Sequence, residues 1–172
     1  TSSAQYQSQN AGLVDVLGTE EEILAQMRQL ISMLPSNYED NSAYTECTDD
    51  LNRVCPELAN CVGDTSIALS QIADNNEFFE VKAEYAKDMV TGFIRLNGAT
   101  VGCVANRSEI YNEEGEKTDS FDNVLSARGC KKAAQFVKFC DAFEIPVLTL
   151  TNVKGYKATK CSEANMARNA AE

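Results

Sequence analysis

The chain has 172 residues, of which 44% are hydrophobic and 24% are charged, and its net charge is −11 at pH 7. This size and apolar content suffice for a globular domain with a buried core, whereas the negative charge argues against nucleic acid and anionic membranes as partners. No apolar run approaches the length of a membrane-spanning helix. The N-terminus lacks a starting Met and the features of a signal peptide, so we expect a cytoplasmic protein and a chain that is part of a longer one.

Seven cysteines and no histidine limit the chemistry that the chain can perform. An odd number of cysteines without a secretory signal favours reduced thiols. Cys47, Cys55 and Cys61 form a loose cluster, but their spacing fits no standard zinc motif, and we predict no metal site. The absence of histidine excludes Ser-His and Cys-His nucleophilic pairs within the chain. Backbone dipoles, Lys, Tyr, carboxylates or a cofactor remain as the reactive groups.

The first strong pattern predicts a helix that follows Thr19. Thr19 and Glu22 have the spacing of a capping box, and Pro35 marks the end of the helix. One apolar stripe is expected to face the core, formed by Ile23, Met27, Leu30, Ile31 and Leu34. Residues 36–64 are polar and lack periodicity, which predicts a linker or a surface excursion.

An α/β unit begins near Ser66, with SIALSQIAD predicted as a short helix. The stretch MVTGFIRLNG predicts an alternating strand, one face of which contains Val90, Gly92, Ile94 and Leu96. TVGCVAN is apolar on both faces, which is typical of a buried strand. Residues 109–122 predict a mobile acidic loop. Its carboxylates, Glu113, Glu114 and Glu116, are explained better as solvated charges than as an acid/base pair.

The last third of the chain predicts a helix, a strand and a second helix. NVLSARGCKKAAQFVKFCDAFE is a helical pattern whose buried face contains Gly129, Ala133, Phe136, Val137, Cys140 and Phe143. IPVLTLTNV predicts a buried strand, since its Pro can stand only at the start. CSEANMARNAAE predicts a helix that begins near Ser162 and has no C-cap signal, as expected for a chain cut inside or just after a helix.

Two loops at strand ends are candidates for binding or catalysis. Asn106 and Arg107 follow the buried strand, and they predict either an anion or amide contact or a solvated strand end. Gly155 and Tyr156 lie between a strand and a helix, where backbone N–H groups can form half of an oxyanion hole. This loop is basic, which suits a phosphate or carboxylate ligand, although an ordinary solvated loop explains the same residues: Lys154, Lys157 and Lys160.

Three stretches together resemble the carboxyltransferase subunit of biotin-dependent acyl-CoA carboxylases and decarboxylases. They are IADNNEFFEVKAEYAKDMVTGFIRLNGATVGCVANR, KKAAQFVKFCDAFEIPVLTLTNVKGY and, more loosely, GLVDVLGTEEEILAQMRQLISMLPSN. Their order and spacing agree with that family over most of the chain. The family includes propionyl-CoA, methylmalonyl-CoA and glutaconyl-CoA enzymes.

This resemblance implies an α/β fold of the crotonase-like (ClpP/crotonase) type, a spiral of ββα units. Residues 1–62 resemble the end of the N-terminal carboxyltransferase half plus a helical connector, and residues 63–172 resemble the truncated start of the C-terminal half. The family's active site lies between halves of two subunits, which implies a homo-oligomer. The implied partners are an acyl-CoA and a biotin carboxyl carrier protein, with a membrane decarboxylase subunit as a further candidate.

The resemblance also implies roles for the two loops. Asn106 and Arg107 match the strand end that faces the biotin cofactor, and Gly155 and Tyr156 match a turn that provides one oxyanion donor, the backbone N–H of Tyr156. The substrate implied is a coenzyme A thioester. The family's second oxyanion motif has no counterpart in this chain, so we expect the chain alone to be inactive.

The chain departs from the family in both loops. The family commonly has Asp-Val-Pro-Gly-Phe and then Leu-Pro-Gly, where this chain has Asn152, Lys154, Tyr156 and a Lys-Ala-Thr run; its usual Gln-Pro is replaced by Arg107-Ser108. These changes favour a decarboxylase-type member. Two alternatives stay open: a non-catalytic fragment or assembly module, and a crotonase-type CoA hydratase or isomerase, which the lack of paired carboxylates disfavours.

Overall fold

The structure is a computed structural model that describes residues 3–40, 43–61 and 63–172, without the side chain of residue 161. At its centre is a tight β-hairpin. Strands β2 (Met89–Leu96) and β3 (Ala99–Asn106) pair along their whole lengths. Their two-residue turn, Asn97-Gly98, has positive φ at both positions, as a type I′ turn requires. Both turn N–H groups donate to the buried carboxylate of Asp74, at 3.0 and 2.6 Å.

Four strands form the main sheet, in the order β1-β2-β3-β6. Strand β1 (Phe79–Val81) pairs antiparallel with β2, and β6 (Val147–Leu150) pairs parallel with β3. The crossover between β3 and β6 contains the helix α4 (Ala127–Ala142). The prediction that β6 is buried is wrong: its residues alternate between exposed and half-buried, because β6 lies at the sheet edge.

Both faces of β2 and β3 are covered, as the apolar pattern of TVGCVAN predicted. On one face α4 and α2 (Glu20–Met33) pack against Met89, Phe93 and Val104. On the other face α3 (Thr65–Ile72) packs against Val90 and Ile94. The predicted face of alternate residues on β2 is therefore confirmed near α3, and its second face is buried as well because a second layer of helices covers it.

The capping box that opens α2 is confirmed. Thr19 Oγ1 accepts from the Glu22 N–H at 3.4 Å, and the Glu22 carboxylate accepts from the Thr19 N–H at 2.7 Å. The helix ends at Met33, before Pro35. Its predicted stripe is wrong in part, because Met33 is fully buried while Met27 and Ile31 are more than half exposed.

Short and irregular elements complete the chain. They are α1 (Ala4–Tyr6) with a π-helical turn (Gln7–Ala11), 3₁₀ turns at Leu58–Cys61 and Asp74–Asn76, strands β4 (Glu109–Tyr111) and β5 (Lys117–Ser120), and helix α5 (Lys160–Ala171). The described part of 36–64 is largely irregular, as predicted. The predicted loop 109–122 instead contains the β4–β5 ladder. Strand β5 is polar and exposed throughout, and β4 has only three half-buried residues, so neither strand is long or apolar enough to show a pattern. The predicted domain boundary at residue 62 lies outside the described residues.

The two last helices differ from their predictions in detail. On α4 the burial of Gly129, Phe136 and Cys140 is confirmed, but Val137 is 42% exposed and Lys132 is only 1% exposed. α5 is capped by Thr159 and begins at Lys160, slightly before the predicted start. Among the described helices, none combines the length and apolarity that crossing a bilayer requires.

Asp74→Ala tests the anchor of the central hairpin. The substitution leaves the N–H groups of Asn97 and Gly98 without their charged acceptor, so we expect the free energy of unfolding to fall by about 3 kcal/mol in urea titrations. Asp119→Ala, which removes the same charge from exposed β5, is the control. Equal destabilisation by both substitutions would contradict this role of Asp74.

Candidate active site

Asn106 joins the ends of the two parallel strands. Its side chain is buried; its Nδ2 donates to the Asn152 carbonyl at 2.7 Å and to Asn123 Oδ1 at 2.9 Å, while its Oδ1 accepts from the Asn152 N–H at 2.6 Å. Because β3 and β6 are parallel neighbours, their carboxyl ends meet at one edge of the sheet. The structure therefore brings together the two loops that the sequence marked separately.

The turn at Gly155 and Tyr156 is held by the segment before α4. The Lys154 N–H donates to the Asn123 carbonyl at 2.8 Å. Leu125 makes two further bonds: its carbonyl accepts from the Lys157 N–H at 2.8 Å, and its N–H donates to the Gly155 carbonyl at 2.9 Å. Tyr156 is thus the residue opposite Leu125 in a parallel bridge. In such a bridge the N–H of Tyr156 points away from Leu125. Within the described residues the Tyr156 N–H has no acceptor.

Gly155 permits the shape of this turn. Its φ of +152° is one that residues with a side chain seldom adopt. A Cβ at this position would meet no atom within 4 Å, so the requirement for glycine comes from the backbone and not from crowding. The Tyr156 side chain is 60% exposed, which agrees with a role for its backbone.

Asn106 and Tyr156 line the same cavity, which has a volume of about 370 Å³. Apolar residues form most of its remaining wall; they include Met89, Val104, Leu125, Val137 and Leu150. A backbone donor beside an apolar wall interacts strongly with an anionic oxygen, since little water competes there. The mostly apolar lining suits an uncharged ring or acyl group.

Arg107 occupies a different environment from Asn106. Its side chain is 5% exposed, with Nε donating to the Lys87 carbonyl at 2.8 Å and Nη atoms 3.4 Å from Glu80 and 3.7 Å from Asp64. The guanidinium therefore points inward, beneath the loop surface. The expectation that Arg107 lines the cofactor side stays a prediction. It concerns the Arg107 backbone, because the side chain points away from the loop surface.

Lys132 is a buried cation that the pattern analysis missed. Its Nζ donates to the Tyr85 carbonyl at 2.9 Å and to the Met89 carbonyl at 2.6 Å. Burial lowers its pKa to about 8, opposed by the nearby Glu80 carboxylate. Burial likewise raises the pKa of Glu80, against the effect of Arg107 and Lys132. The available signal was the position of Lys132 on the apolar stripe of α4, between Gly129 and Phe136.

The three lysines of the loop are exposed, as their pattern suggested. Lys157 lines a second cavity of about 600 Å³ with Arg128, Asp88 and the first residues of α4 and α5. The acidic trio at 113–116 is also exposed. Cys55 Sγ donates to the Gln71 carbonyl at 3.2 Å, and in the described part of the chain no group of three His, Cys, Asp or Glu residues is placed to hold a metal ion.

The chain is similar to known carboxyl transferases. Residues 3–171 match the family model described as the carboxyl transferase domain. Over 142 residues the chain is 38% identical to the propionyl-CoA carboxylase beta chain of Roseobacter denitrificans, which covers 78% of this chain and 26% of that protein. Over 144 residues it is 30% identical to the methylmalonyl-CoA decarboxylase subunit alpha of Veillonella parvula, covering 80% and 26%.

Solved structures agree with these relatives. A transcarboxylase 12S structure, a hexamer with methylmalonyl-coenzyme A bound, has a TM-score of 0.82 at 28% identity over 98% of this chain and 32% of that one. A single-chain, multi-domain long-chain acyl-CoA carboxylase has a TM-score of 0.68 at 22% identity, over 98% and 16%. The predicted resemblance and the crotonase-like α/β fold are confirmed. The chain spans about a quarter of the length of these curated relatives.

Asn106→Ala tests the link between the strand ends. Loss of its three buried hydrogen bonds is expected to lower the free energy of unfolding by about 3 kcal/mol. Amide hydrogen exchange of residues 152–157 is expected to increase at the same time. Asn60→Ala, which removes an exposed amide, is the control. Unchanged amide exchange of residues 152–157 in a folded Asn106→Ala variant would contradict this role of Asn106.

The lowered pKa of Lys132 predicts a pH-dependent stability. Between about 8 and the ordinary value of 10.5, the folded chain has released this proton and the unfolded chain retains it. The free energy of unfolding therefore rises with pH, by at most about 1.4 kcal/mol per unit. Lys132→Met removes this contribution.

The stability difference between wild type and Lys132→Met is the quantity to measure, by urea titration at about pH 7 and about pH 9.5. It is expected to shift in favour of the wild type as pH rises. The buried thiols of Cys103 and Cys140, whose pKa values burial raises to about 12 and about 11, act in the opposite direction. They are present in both proteins and cancel from the difference, so a constant difference would contradict the prediction.

Proposed function

The chain belongs to the carboxyl transferase domain family, and on that premise we propose that the protein containing it moves a carboxyl group between an acyl-CoA thioester and biotin on a carrier protein. The single observation that carries the proposal is that one largely apolar cavity is lined by both Asn106 and Tyr156, and that the Tyr156 N–H has no acceptor among the described residues. The names of the relatives, which act on propionyl-CoA and methylmalonyl-CoA, support an acyl-CoA as the substrate.

Biotin, when bound, supplies or accepts the carboxyl group. The cavity suits its uncharged bicyclic ring, because apolar side chains such as Leu125 and Leu150 form most of the wall. The ureido oxygen is an acceptor, and the Tyr156 N–H is a donor within that wall. We assign Asn106, the Arg107 backbone, Gly155 and Tyr156 to the biotin side of the site.

The proposed role of the Tyr156 N–H is to stabilise negative charge on an oxygen as the carboxyl group moves. A preorganised donor of this kind contributes a factor of roughly 10²–10³ to the rate. Gly155 gives the turn its backbone shape, and Asn106 holds Asn152 so that the donor keeps its direction. The exposed Lys154, Lys157 and Lys160 supply a positive rim that favours an anionic ligand in a chain that is otherwise acidic.

The partners follow from the same proposal. They are a biotin carboxyl carrier protein, an acyl-CoA and a second copy of the subunit, since the hexamer of the transcarboxylase 12S structure supports a homo-oligomer. The division into the end of one carboxyltransferase half, residues 1–62, and the start of the next, residues 63–172, belongs to this proposal. So do a cytoplasmic location and a membrane decarboxylase subunit as a further partner.

The test is biotin-dependent consumption of an acyl-CoA by the full-length protein that contains this chain. Methylmalonyl- and glutaconyl-CoA, which carry a carboxyl group to donate, are offered with free biotin, and propionyl- and acetyl-CoA, which can only accept one, are offered with carboxybiotin. One of the four is expected to react only when its form of biotin is present. No biotin-dependent reaction with any thioester would overturn the proposal. Hydration of an enoyl-CoA instead would indicate a crotonase-type hydratase.

Two substitutions of Tyr156 distinguish a role of its backbone N–H from a role of its side chain. Tyr156→Phe is expected to keep the rate, because the ring is exposed and only its N–H is used. Tyr156→Pro removes that N–H, and the rate is expected to fall by roughly 10²-fold. Thermal unfolding of each variant controls for loss of fold. A folded Tyr156→Pro protein with the wild-type rate would contradict the assignment of the donor.

A further inference from the structure

The segment Lys82–Met89, which joins β1 to β2 and includes the first residue of β2, has a strained backbone. Lys82 and Ala86 have φ values of +56° and +44°, in the left-handed region that residues with a Cβ seldom occupy. Each begins a turn: Tyr85 N–H donates to the Lys82 carbonyl at 3.0 Å, and Met89 N–H donates to the Ala86 carbonyl at 2.9 Å. Such strain persists only where surrounding contacts hold it, and it concentrates at functional sites.

Two buried cations hold this segment through its carbonyl groups. Lys132 Nζ donates to Tyr85 and Met89, one carbonyl from each turn. Arg107 Nε donates to the Lys87 carbonyl at 2.8 Å, and the Arg107 N–H donates to the Asp88 carbonyl at 2.9 Å. Charged donors form stronger hydrogen bonds than neutral ones, and both side chains are at most 5% exposed.

The segment forms a wall of both cavities at the candidate site. Met89 lines the first cavity with Asn106 and Tyr156, and it is also the strand partner of Asn106. Ala86 and Asp88 line the second cavity, as Lys157 does. The two cations therefore act on a segment that lines the same cavities as the loop bearing Gly155 and Tyr156.

We propose that the side chains of Lys132 and Arg107 are positioning groups, which hold Lys82–Met89 as a fixed wall of the active site and do not themselves touch the substrate. That the segment is a wall of an active site rests on the proposed carboxyl transfer, whereas the contacts of the two cations with the segment do not. Four charged groups act on Lys132: the carboxylates of Glu80 on β1 and Asp88 on the segment attract it, and Arg107 and Lys82 repel it. The Glu80 carboxylate attracts both cations and lies 3.4 Å from the Arg107 guanidinium.

The first experiment measures amide hydrogen exchange in the chain itself. In Lys132→Met, exchange of the amides of residues 85–89 is expected to increase at least tenfold relative to wild type, while the β4–β5 ladder is unchanged. Lys138→Met, which removes an exposed lysine from the same helix, is the control. A folded Lys132→Met chain with wild-type protection of this segment would overturn the proposal.

A milder variant keeps the test decisive if Lys132→Met does not fold. Lys132→Gln retains a neutral donor, so an intermediate increase in exchange is expected at the same amides. Lys132→Arg retains charge and donors, and it is expected to restore protection at least in part. Equal exchange in the Gln and Arg variants would overturn the role assigned to the charge.

The second experiment measures catalysis in the full-length protein. For Lys132→Gln the KM for biotin is expected to rise about fivefold or more with a smaller change in kcat, because a loosened wall weakens placement more than chemistry. Lys132→Arg is expected to recover part of the lost affinity, and Lys138→Met is expected to match the wild type. A uniform loss of kcat without recovery by Arg would indicate a purely structural role.

The two experiments distinguish a failure of the proposed function from a failure of the positioning role. If the wild-type full-length protein shows no biotin-dependent reaction, the proposed function is wrong, and the exchange result still decides whether the cations lock the segment. If the reaction occurs and the exchange of residues 85–89 does not respond to Lys132, the positioning role is wrong and the proposed function stands.

Discussion

The parallel pairing of β3 with β6 is the constraint on which the candidate site depends. It places the carboxyl ends of two strands side by side, although more than 40 residues of chain separate them. Asn106 then bonds both the N–H and the carbonyl of Asn152, so a single buried amide side chain satisfies backbone groups that the sheet leaves unpaired. Residues from the ends of both strands, Asn106 and Leu150 among them, line the same cavity as Tyr156.

A second feature of the molecule is its use of buried charge beneath that site. Arg107, Lys132, Asp64 and Glu80 lie at or near the interior of a chain whose other charges are mostly at the surface. Taking such groups out of water is costly, and mutual attraction offsets the cost only when hydrogen bonds satisfy the remaining donors. Here backbone carbonyls of Lys82–Met89 provide those acceptors, so the charges and the strained segment stabilise one another.

The comparison with relatives gives this arrangement a context. Similarity extends over nearly the whole chain to carboxyl transferases, and the loops after β3 and β6 are where we expect departures from the family pattern. A common scaffold with altered loops is the usual way in which one fold serves several substrates. Lys154 and Lys157 are exposed in the loop after β6, where a change of residue leaves the packed core unaltered.

Much of the architecture was predictable because it depends on local patterns. The capping box at Thr19, the two apolar strands around Asn97-Gly98 and the stripe of α4 each need only neighbouring residues to be recognised. The candidate loops were recognised for the same reason, since polar and glycine residues at strand ends stand out against apolar runs. Burial of particular side chains was less predictable: Val137, Met27 and Ile31 are exposed, and β6 is an edge strand.

The order and type of the main elements, the family resemblance and the two candidate loops could all be predicted from the sequence. The packed chain was needed to find that Asn106 bonds Asn152, that the Arg107 side chain points inward, and that Lys132 is buried against the carbonyls of Tyr85 and Met89. These contacts join residues that are from about 20 to nearly 50 positions apart. No local pattern encodes such pairs, because which faces and strand ends meet depends on how the whole sheet and its helices pack.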